Sequence, residues 1–211
     1  MKIIITLLAI LSLASVSFGQ SGSQAILDRL SRKMKTHKSF YVEFSATTKN
    51  ATTGANTSDT GKGWVKGDKF YASFGDNTII SNGLKTWMIV KEEKSVYVSD
   101  ADDDEDLINP RKLMTIWEDG FKNKLGKETT INGEKVHVIY LYPKNPADAE
   151  YHTVILYISK TTEDLKKVII KTKDATVMTY RLKVYKANPE ISDSKFVYNP
   201  KKYPGYTLIK D

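Results

Sequence analysis

The chain has 211 residues, of which 40% are hydrophobic and 27% charged, and its formal net charge is +7. It contains no cysteine, which excludes disulfides and thiolate metal centres. The excess charge is lysine scattered along the chain without an arginine-rich block, which argues against a nucleic-acid partner. Two explanations remain open: plain solubility, or a basic surface for an anionic membrane or an acidic protein.

The N-terminus predicts a signal peptide over residues 1–19. A short positive start precedes the apolar residues 3–14, and Ser17 and Gly19 are the small residues that a cut before Gln20 needs. The run is too short for a permanent span, and no later segment reaches about 18 apolar residues. We therefore expect residues 20–211 to form a single exported domain in the periplasm.

Residues 23–38 have the periodicity of an amphipathic helix. Ser23 is a suitable N-cap, and apolar side chains recur at steps of three and four residues. These are Ile26, Leu27, Leu30 and Met34. Such a helix lies on a core with its charged side in water.

From Phe40 to about residue 209 the apolar period is mostly two, which predicts about eleven strands. The polar residues 49–59 predict a mobile loop, and the pairs Asn82-Gly83 and Asn132-Gly133 predict tight two-residue hairpin turns. We find no internal repeat and no composition shift. The chain is therefore expected to be mainly β, with one strongly curved antiparallel sheet that is open or closed as a barrel.

A short helix is expected to interrupt the strands. Asn109-Pro110 is a helix start, and Gly120 ends the segment. Its apolar side would carry Leu113, Ile116 and Trp117. A short apolar helix of this kind suits a cover over an open sheet.

Sites for metal or covalent chemistry are not expected. The three histidines are far apart and lack a ligand spacing, and no G-x-S-x-G marks a hydrolase nucleophile. The acidic residues 100–106 resemble a calcium loop, but Glu105 stands where that loop needs glycine and Arg111 where it needs glutamate. We expect no enzyme activity and no cofactor.

The aromatic residues are numerous for one open sheet. In an ordinary domain such a set fills a core. A curved sheet under a helical cover that can move instead favours an apolar cavity.

Several segments, taken in order, carry a resemblance to one known family. They are 26–30 (ILDRL), 40–44 (FYVEF), 61–66 (GKGWVK), 69–70 (KF), 80–87 (ISNGLKTW), 109–110 (NP), 141–144 (LYPK) and 196–209 with Pro204-Gly205. Together, behind a signal peptide and without a cysteine to carry lipid, they resemble the LolA family of periplasmic carriers of outer-membrane lipoproteins.

The resemblance implies an unclosed β-barrel with a helical lid over an apolar cavity. It also implies a monomeric carrier that takes acylated lipoproteins from an inner-membrane ABC transporter complex and moves them to an outer-membrane acceptor that the sequence does not identify. The alternative on the same fold is a periplasmic module that senses lipids or lipoproteins in envelope stress.

The resemblance and the strand pattern together give a set of candidate residues. Seven are expected to point inward and contact acyl chains: Phe40, Val42, Phe44, Trp64, Phe70, Trp87 and Ile89. Leu113, Ile116 and Trp117 are expected on the lid. The family has an arginine that holds the lid where this chain has Gly67, so either a nearby lysine, Lys66 or Lys69, replaces it or the lid is regulated differently.

Overall fold

A computed structural model describes residues 22–101, 115 and 117–210. The predicted signal peptide and the predicted lid residues Leu113 and Ile116 lie outside them. Of the predicted short helix, Thr115 and residues 117–119 are described, and these form turns and bends. The described part of the chain contains one α-helix, thirteen strands and two short 3-10 helices.

The elements follow one another along the chain. They are α1 (Gly22–Lys35), β1 (Ser39–Asn50), β2 (Asn56–Lys66), β3 (Lys69–Phe74), β4 (Asn77–Ser81), β5 (Lys85–Val90), β6 (Ser95–Asp100), β7 (Phe121–Leu125), β8 (Thr129–Ile131), β9 (Glu134–Pro143), β10 (Tyr151–Ser159), β11 (Leu165–Thr172), β12 (Thr176–Ala187), the 3-10 turns Asp193–Phe196 and Pro200–Lys202, and β13 (Thr207–Lys210).

All thirteen strands belong to one curved sheet that does not close, which confirms the predicted mainly β, open architecture. The order is β13-β6-β5-β4-β3-β2-β1-β12-β11-β10-β9-β7, and β8 also pairs with β9. Every pair is antiparallel except β13 with β6. β7 and β8 are separated at Gly126, where a Cβ atom would lie 2.5 Å from the Tyr140 ring.

The mobile loop expected over residues 49–59 is wrong for most of its length. β1 and β2 form a long hairpin in which Lys49 still pairs with Asn56, so the turn is confined to 51–55. The Asn50 side chain caps that turn, because its Oδ1 accepts hydrogen bonds from the backbone N–H groups of Thr52 and Thr53 at 2.9 and 2.8 Å. Threonine and serine residues of the two strands pair with each other, so both strands extend into the segment for which the polar composition predicted a loop.

One of the two predicted hairpin turns forms at the expected residues, and the other forms at a neighbouring position. Asn132-Gly133 forms the expected turn, with φ of 48° and 82° and with Ile131 paired to Glu134. At the other site Ser81 pairs with Thr86, and Gly83 and Leu84 occupy the centre. The turn is shifted by one residue because the Asn82 side chain accepts hydrogen bonds from the N–H groups of Leu84 and Lys85, at 2.9 and 2.8 Å.

The face of the sheet on which α1 lies, the inner face, buries the larger apolar cluster. α1 contributes Ile26, Leu27 and Leu30, as its periodicity predicted. Fifteen other buried residues complete this inner cluster: Phe40, Val42, Val65, Phe70, Ala72, Ile79, Trp117, Ile139, Leu141, Val154, Leu156, Ile158, Leu165, Val168 and Ile170.

The opposite, outer face has a second and smaller core. Its buried members are Ile80, Ile89, Val96 and Val98. The C-terminal segment, residues 188–210, crosses this face, packs tyrosines 198, 203 and 206 on it, and ends as β13 beside β6. Strands β4 to β6 are therefore covered on their outer face.

Gly61 is needed because of Phe44. The two residues pair across β1 and β2, and a Cβ atom at position 61 would lie 2.3 Å from the Phe44 ring. The ring passes over the glycine and stacks on Phe74 with centroids 5.9 Å apart.

Gly61→Ala should lower the free energy of unfolding by about 1–3 kcal/mol, because the ring cannot keep its position. Urea denaturation measures this cost. In a Phe44→Leu background the same substitution should cost much less. An equal cost in both backgrounds would mean that backbone conformation, rather than the ring, requires glycine.

Candidate functional site

Around the inner cluster lies a set of large apolar side chains that are only half-buried. Each of these side chains contacts the buried cluster on one side and is partly exposed on the other. This rim consists of Met34, Phe44, Met88, Phe121, Tyr151, Met178, Tyr180, Leu182 and Tyr185. It includes three of the five methionines of the chain. Methionine adapts its shape to irregular apolar partners, so the rim suits a flexible hydrocarbon ligand.

One arc of the rim is continuous across β1 and β12. Phe44 pairs with Leu182, and its ring lies 6.1 Å from that of Tyr180. Burial raises the pKa of the Tyr180 hydroxyl, which contacts the Met178 sulfur at 3.7 Å. This arc offers ring faces, methyl groups and sulfur, with few polar groups to satisfy.

The structure brings together four of the seven residues that were predicted to face inward. Phe40, Val42 and Phe70 are 5–6% exposed within the inner cluster, and Phe44 belongs to the rim. Phe70 pairs on neighbouring strands with Val65 and Ser81 and lies in the floor of the cluster.

The expectation of an inward direction is wrong for Trp64, Trp87 and Ile89. Successive side chains alternate across a strand, and the inward neighbours of the two tryptophans are Val65 and Met88. Trp87 and Ile89 belong to the outer core, and Trp64 lies between two tyrosines on the outer face, tilted to one and edge-on to the other. A tryptophan in a sequence indicates burial, but here both faces of the sheet bury residues.

α1 is attached along one side by polar contacts. Arg29 pairs with Glu163 at 2.6 Å, and Lys33 pairs with Asp164 at 2.5 Å, both in the turn between β10 and β11. Near the start of the helix, Ser23 donates a hydrogen bond to Asn123 of β7 at 2.6 Å. These contacts tie the helix to the β7–β11 half of the sheet.

On the side of β12 the helical segment makes fewer polar contacts. The Tyr185 hydroxyl lies 3.5 Å from the Met34 sulfur and 2.7 Å from Nδ1 of His37. Burial raises the pKa of the Tyr185 hydroxyl. The helix thus has a side held by several polar contacts and a side with fewer of them, which borders the rim.

Trp117, the one described member of the predicted lid set, packs with α1. It is 4% exposed within the inner cluster, and its indole N–H donates a 2.8 Å hydrogen bond to Ser31. The next residue, Glu118, pairs with Lys35 at 3.3 Å. The chain that follows the predicted lid is therefore joined to the helix.

Lys66 and Lys69, the two lysines nearest Gly67, both contact the C-terminal segment. Gly67 has a φ of 58° in the turn between β2 and β3. Lys66 and Lys69 lie 2.9 and 3.3 Å from the carboxylate of Asp193, and their hydrogen bonds lower its pKa. Both lysines thus fasten the segment that covers the outer core.

Within the described residues, no three metal-ligating side chains come together. Nor does any helix there have the length and apolar character to cross a membrane.

Comparison with known proteins agrees with this architecture. The family described as "Outer membrane lipoprotein carrier protein LolA" matches residues 35–199. The chain belongs to the LolA family. Its members are binding and carrier proteins of the periplasm or cell envelope. A search of curated proteins found no match.

Three solved structures are similar to this LolA-family chain. An uncharacterized conserved protein from Thermus thermophilus has 9% identity and a TM-score of 0.60, over 90% of this chain and 99% of that one. A LolA superfamily protein from Nitrosomonas europaea has 13% identity and a TM-score of 0.43, over 83% and 97%. The Mycobacterium tuberculosis lipoprotein LppX has 12% identity and a TM-score of 0.46, over 80% and 97%.

Acid should weaken the fold through His37 and His137. Burial, aided by Lys33 for His37 and by Lys160 for His137, lowers both pKa values below the ordinary 6.5. The unfolded chain then binds more protons below that value, so this contribution is complete above pH 6.5 and is lost as the pH falls.

Replacing both histidines by glutamine should flatten the loss of stability between about pH 7 and about pH 5. Chemical denaturation at a series of pH values measures the slope. If the double variant loses stability as steeply as the parent protein, the acidic groups rather than these histidines determine the slope.

Proposed function

We propose that this protein is a periplasmic carrier that binds the acyl chains of lipoproteins released from the inner membrane and delivers them towards the outer membrane. The observation that carries the proposal is the half-buried apolar rim around the inner cluster. Membership of the LolA family, whose proteins bind lipoproteins or lipids, supports it.

The physical task of such a carrier is to keep hydrocarbon out of water. Burial gains about 0.8 kcal/mol per methylene, so a chain of ~16 carbons left in water costs on the order of 10 kcal/mol. Phe44, Leu182 and the methionines of the rim provide a surface of matching polarity that already excludes part of the solvent. An acyl chain lying there would complete the burial of both partners.

Acyl contact is proposed in two layers. The rim, with Phe44 and Leu182, meets the ligand first because its side chains are accessible without rearrangement. Phe40, Val42 and Phe70 form the floor, and an acyl chain reaches them only when a covering element moves. The polar contacts of α1 with β7 and the β10–β11 turn favour movement at the rim side, where fewer polar contacts hold the helix.

The remaining parts of the proposal concern the route. Residues 1–19 act as the signal peptide, and the mature chain works as a monomer in the periplasm. An inner-membrane ABC transporter complex supplies the acylated lipoproteins, and Leu113, Ile116 and Trp117 belong to the lid. Trp117 is suited to that role because it contacts both the inner cluster and Ser31 of α1.

Leu182→Gln should weaken acyl binding by about tenfold, since a buried amide without partners costs about 1–3 kcal/mol. Titration of a fluorescent 16-carbon fatty acid measures the affinity, and circular dichroism checks the fold. Leu84→Gln is the matched control, because Leu84 is 78% exposed in the turn between β4 and β5 and belongs to neither apolar cluster. Equal affinities for both variants would exclude the rim as the acyl site.

Depletion in the native cell tests the transport role. Loss of a carrier should leave lipoproteins in the inner-membrane fraction, because nothing else covers their acyl chains in water. Membrane fractionation with immunodetection of lipoproteins measures this. Normal localisation after depletion, combined with acyl binding by the purified protein, would favour the lipid-sensing alternative.

A further inference from the structure

The outer face of strands β1 to β3 has a row of three aromatic rings in contact, one pair tilted and one pair edge-on, beside a groove. Trp64 lies 4.7 Å from Tyr41 and 5.5 Å from Tyr71, measured between ring centroids. The groove has a volume of about 520 Å³, and its walls include Tyr41, Glu43, Lys62, Ser73 and Lys183, while Phe44 of the rim and Gly61 also line it. It lies where the register of β1 and β12 shifts at Glu43, which gives Lys183 no direct partner on β1.

Ammonium groups surround the rings. Lys195 of the C-terminal segment lies 3.7 Å from the Trp64 centroid and 4.2 Å from that of Tyr71. Lys62 lies 5.7 Å from Trp64, and Lys186 lies 6.0 Å from Tyr41. Each position is favourable for a cation over an aromatic face.

Among its lining residues the groove has one carboxylate, Glu43, which lies opposite Lys62 on the neighbouring strand. Glu43 accepts a short hydrogen bond from the Tyr41 hydroxyl, which raises the pKa of Tyr41 to about 12. The ion pairs among described residues involve other lysines, such as Lys66 and Lys69, and leave Lys62, Lys183 and Lys186 exposed without a carboxylate partner.

The cations of this face also act on one another. The pKa of Lys195 is lowered by burial and then by Lys62 and Lys202, and the pKa of Lys167 is lowered by burial and then by Arg181. Lys167 and Arg181 are paired on β11 and β12, on the side of the groove away from Lys195. Like charges held this close oppose the folded state, and an anionic partner would relieve the repulsion.

We propose that this outer basic groove, walled by Lys62 and Lys183, binds an acidic segment of a partner protein. The charged side chains of the site lie on the opposite face from the acyl-binding rim, and the groove and the rim share Phe44. The inference goes beyond the carrier function and does not depend on the identity of the cargo.

A polypeptide fits the groove better than a membrane surface does. The groove is recessed, and the Ser73 hydroxyl and the Glu43 carboxylate provide groups that hydrogen-bond to a peptide backbone. Lys195 covers the rings of Trp64 and Tyr71, which therefore cannot insert into a bilayer as free aromatic anchors. A flat bilayer would also meet only a small part of the outside of a curved sheet.

The test uses a fluorescein-labelled ten-residue glutamate peptide, with a ten-residue glutamine peptide as the neutral probe. Fluorescence anisotropy at low salt should detect binding of the glutamate peptide alone, and added salt should weaken it. The double variant Lys62→Glu, Lys183→Glu should bind about tenfold more weakly or worse.

The control is the double variant Lys122→Glu, Lys124→Glu. It makes the same change of net charge at two exposed lysines of β7, far from the groove in the strand order. It should keep its affinity for the glutamate peptide within about twofold of the parent protein.

Three results would overturn the proposal: no binding of the glutamate peptide by the parent protein, equal losses in the two double variants, or binding to phosphatidylglycerol vesicles without binding to the peptide. Circular dichroism and titration of the 16-carbon fatty acid accompany each variant. A groove variant that keeps fatty-acid binding and loses the peptide supports docking, whereas loss of fatty-acid binding by the parent protein would count only against the carrier function.

Discussion

The alternation of side chains along one unclosed sheet is the constraint on which the rest of this structure depends. Each strand must direct one row of residues towards α1 and the next row away from it. On β1 this gives Phe40 and Val42 inside and Tyr41 and Glu43 outside. The same strands therefore build an apolar interior and a basic exterior. A shift of the strand register by one residue would exchange the inner and outer rows of side chains.

The way in which α1 is held follows from this arrangement. Its apolar side contributes most of the attachment, since Leu27 and Leu30 are 1% exposed. The ion pairs of Arg29 and Lys33 are partly exposed, and such pairs contribute little to stability, about 0–1 kcal/mol each. Their effect is on position: they fix one side of the helix, whereas the side near Tyr185 has fewer polar contacts.

Periodicity was sufficient to predict α1, most strands and the mainly β class, and the family resemblance added that the sheet stays open. It did not give the direction of Trp64 and Trp87, because the outer face is also buried where the C-terminal segment crosses it. That crossing depends on contacts between residues distant in sequence, such as Asp193 with Lys66, and local pattern carries no information about them. Apart from Phe44, the rim was missed for a similar reason: Met88 and Leu182 are half-buried, and their sequence neighbours do not indicate a binding site.

The parallel pairing of β13 with β6 has a consequence for how the chain reaches its final form. Tyr97 of β6 finds its partner, Ile209, more than a hundred residues later in the chain. Until those residues emerge, β6 has an unpaired edge and the apolar side chains of Val96 and Val98 are uncovered. Exposed edges of this kind recruit other strands, so a nascent copy is most prone to self-association in the interval before its last strand arrives.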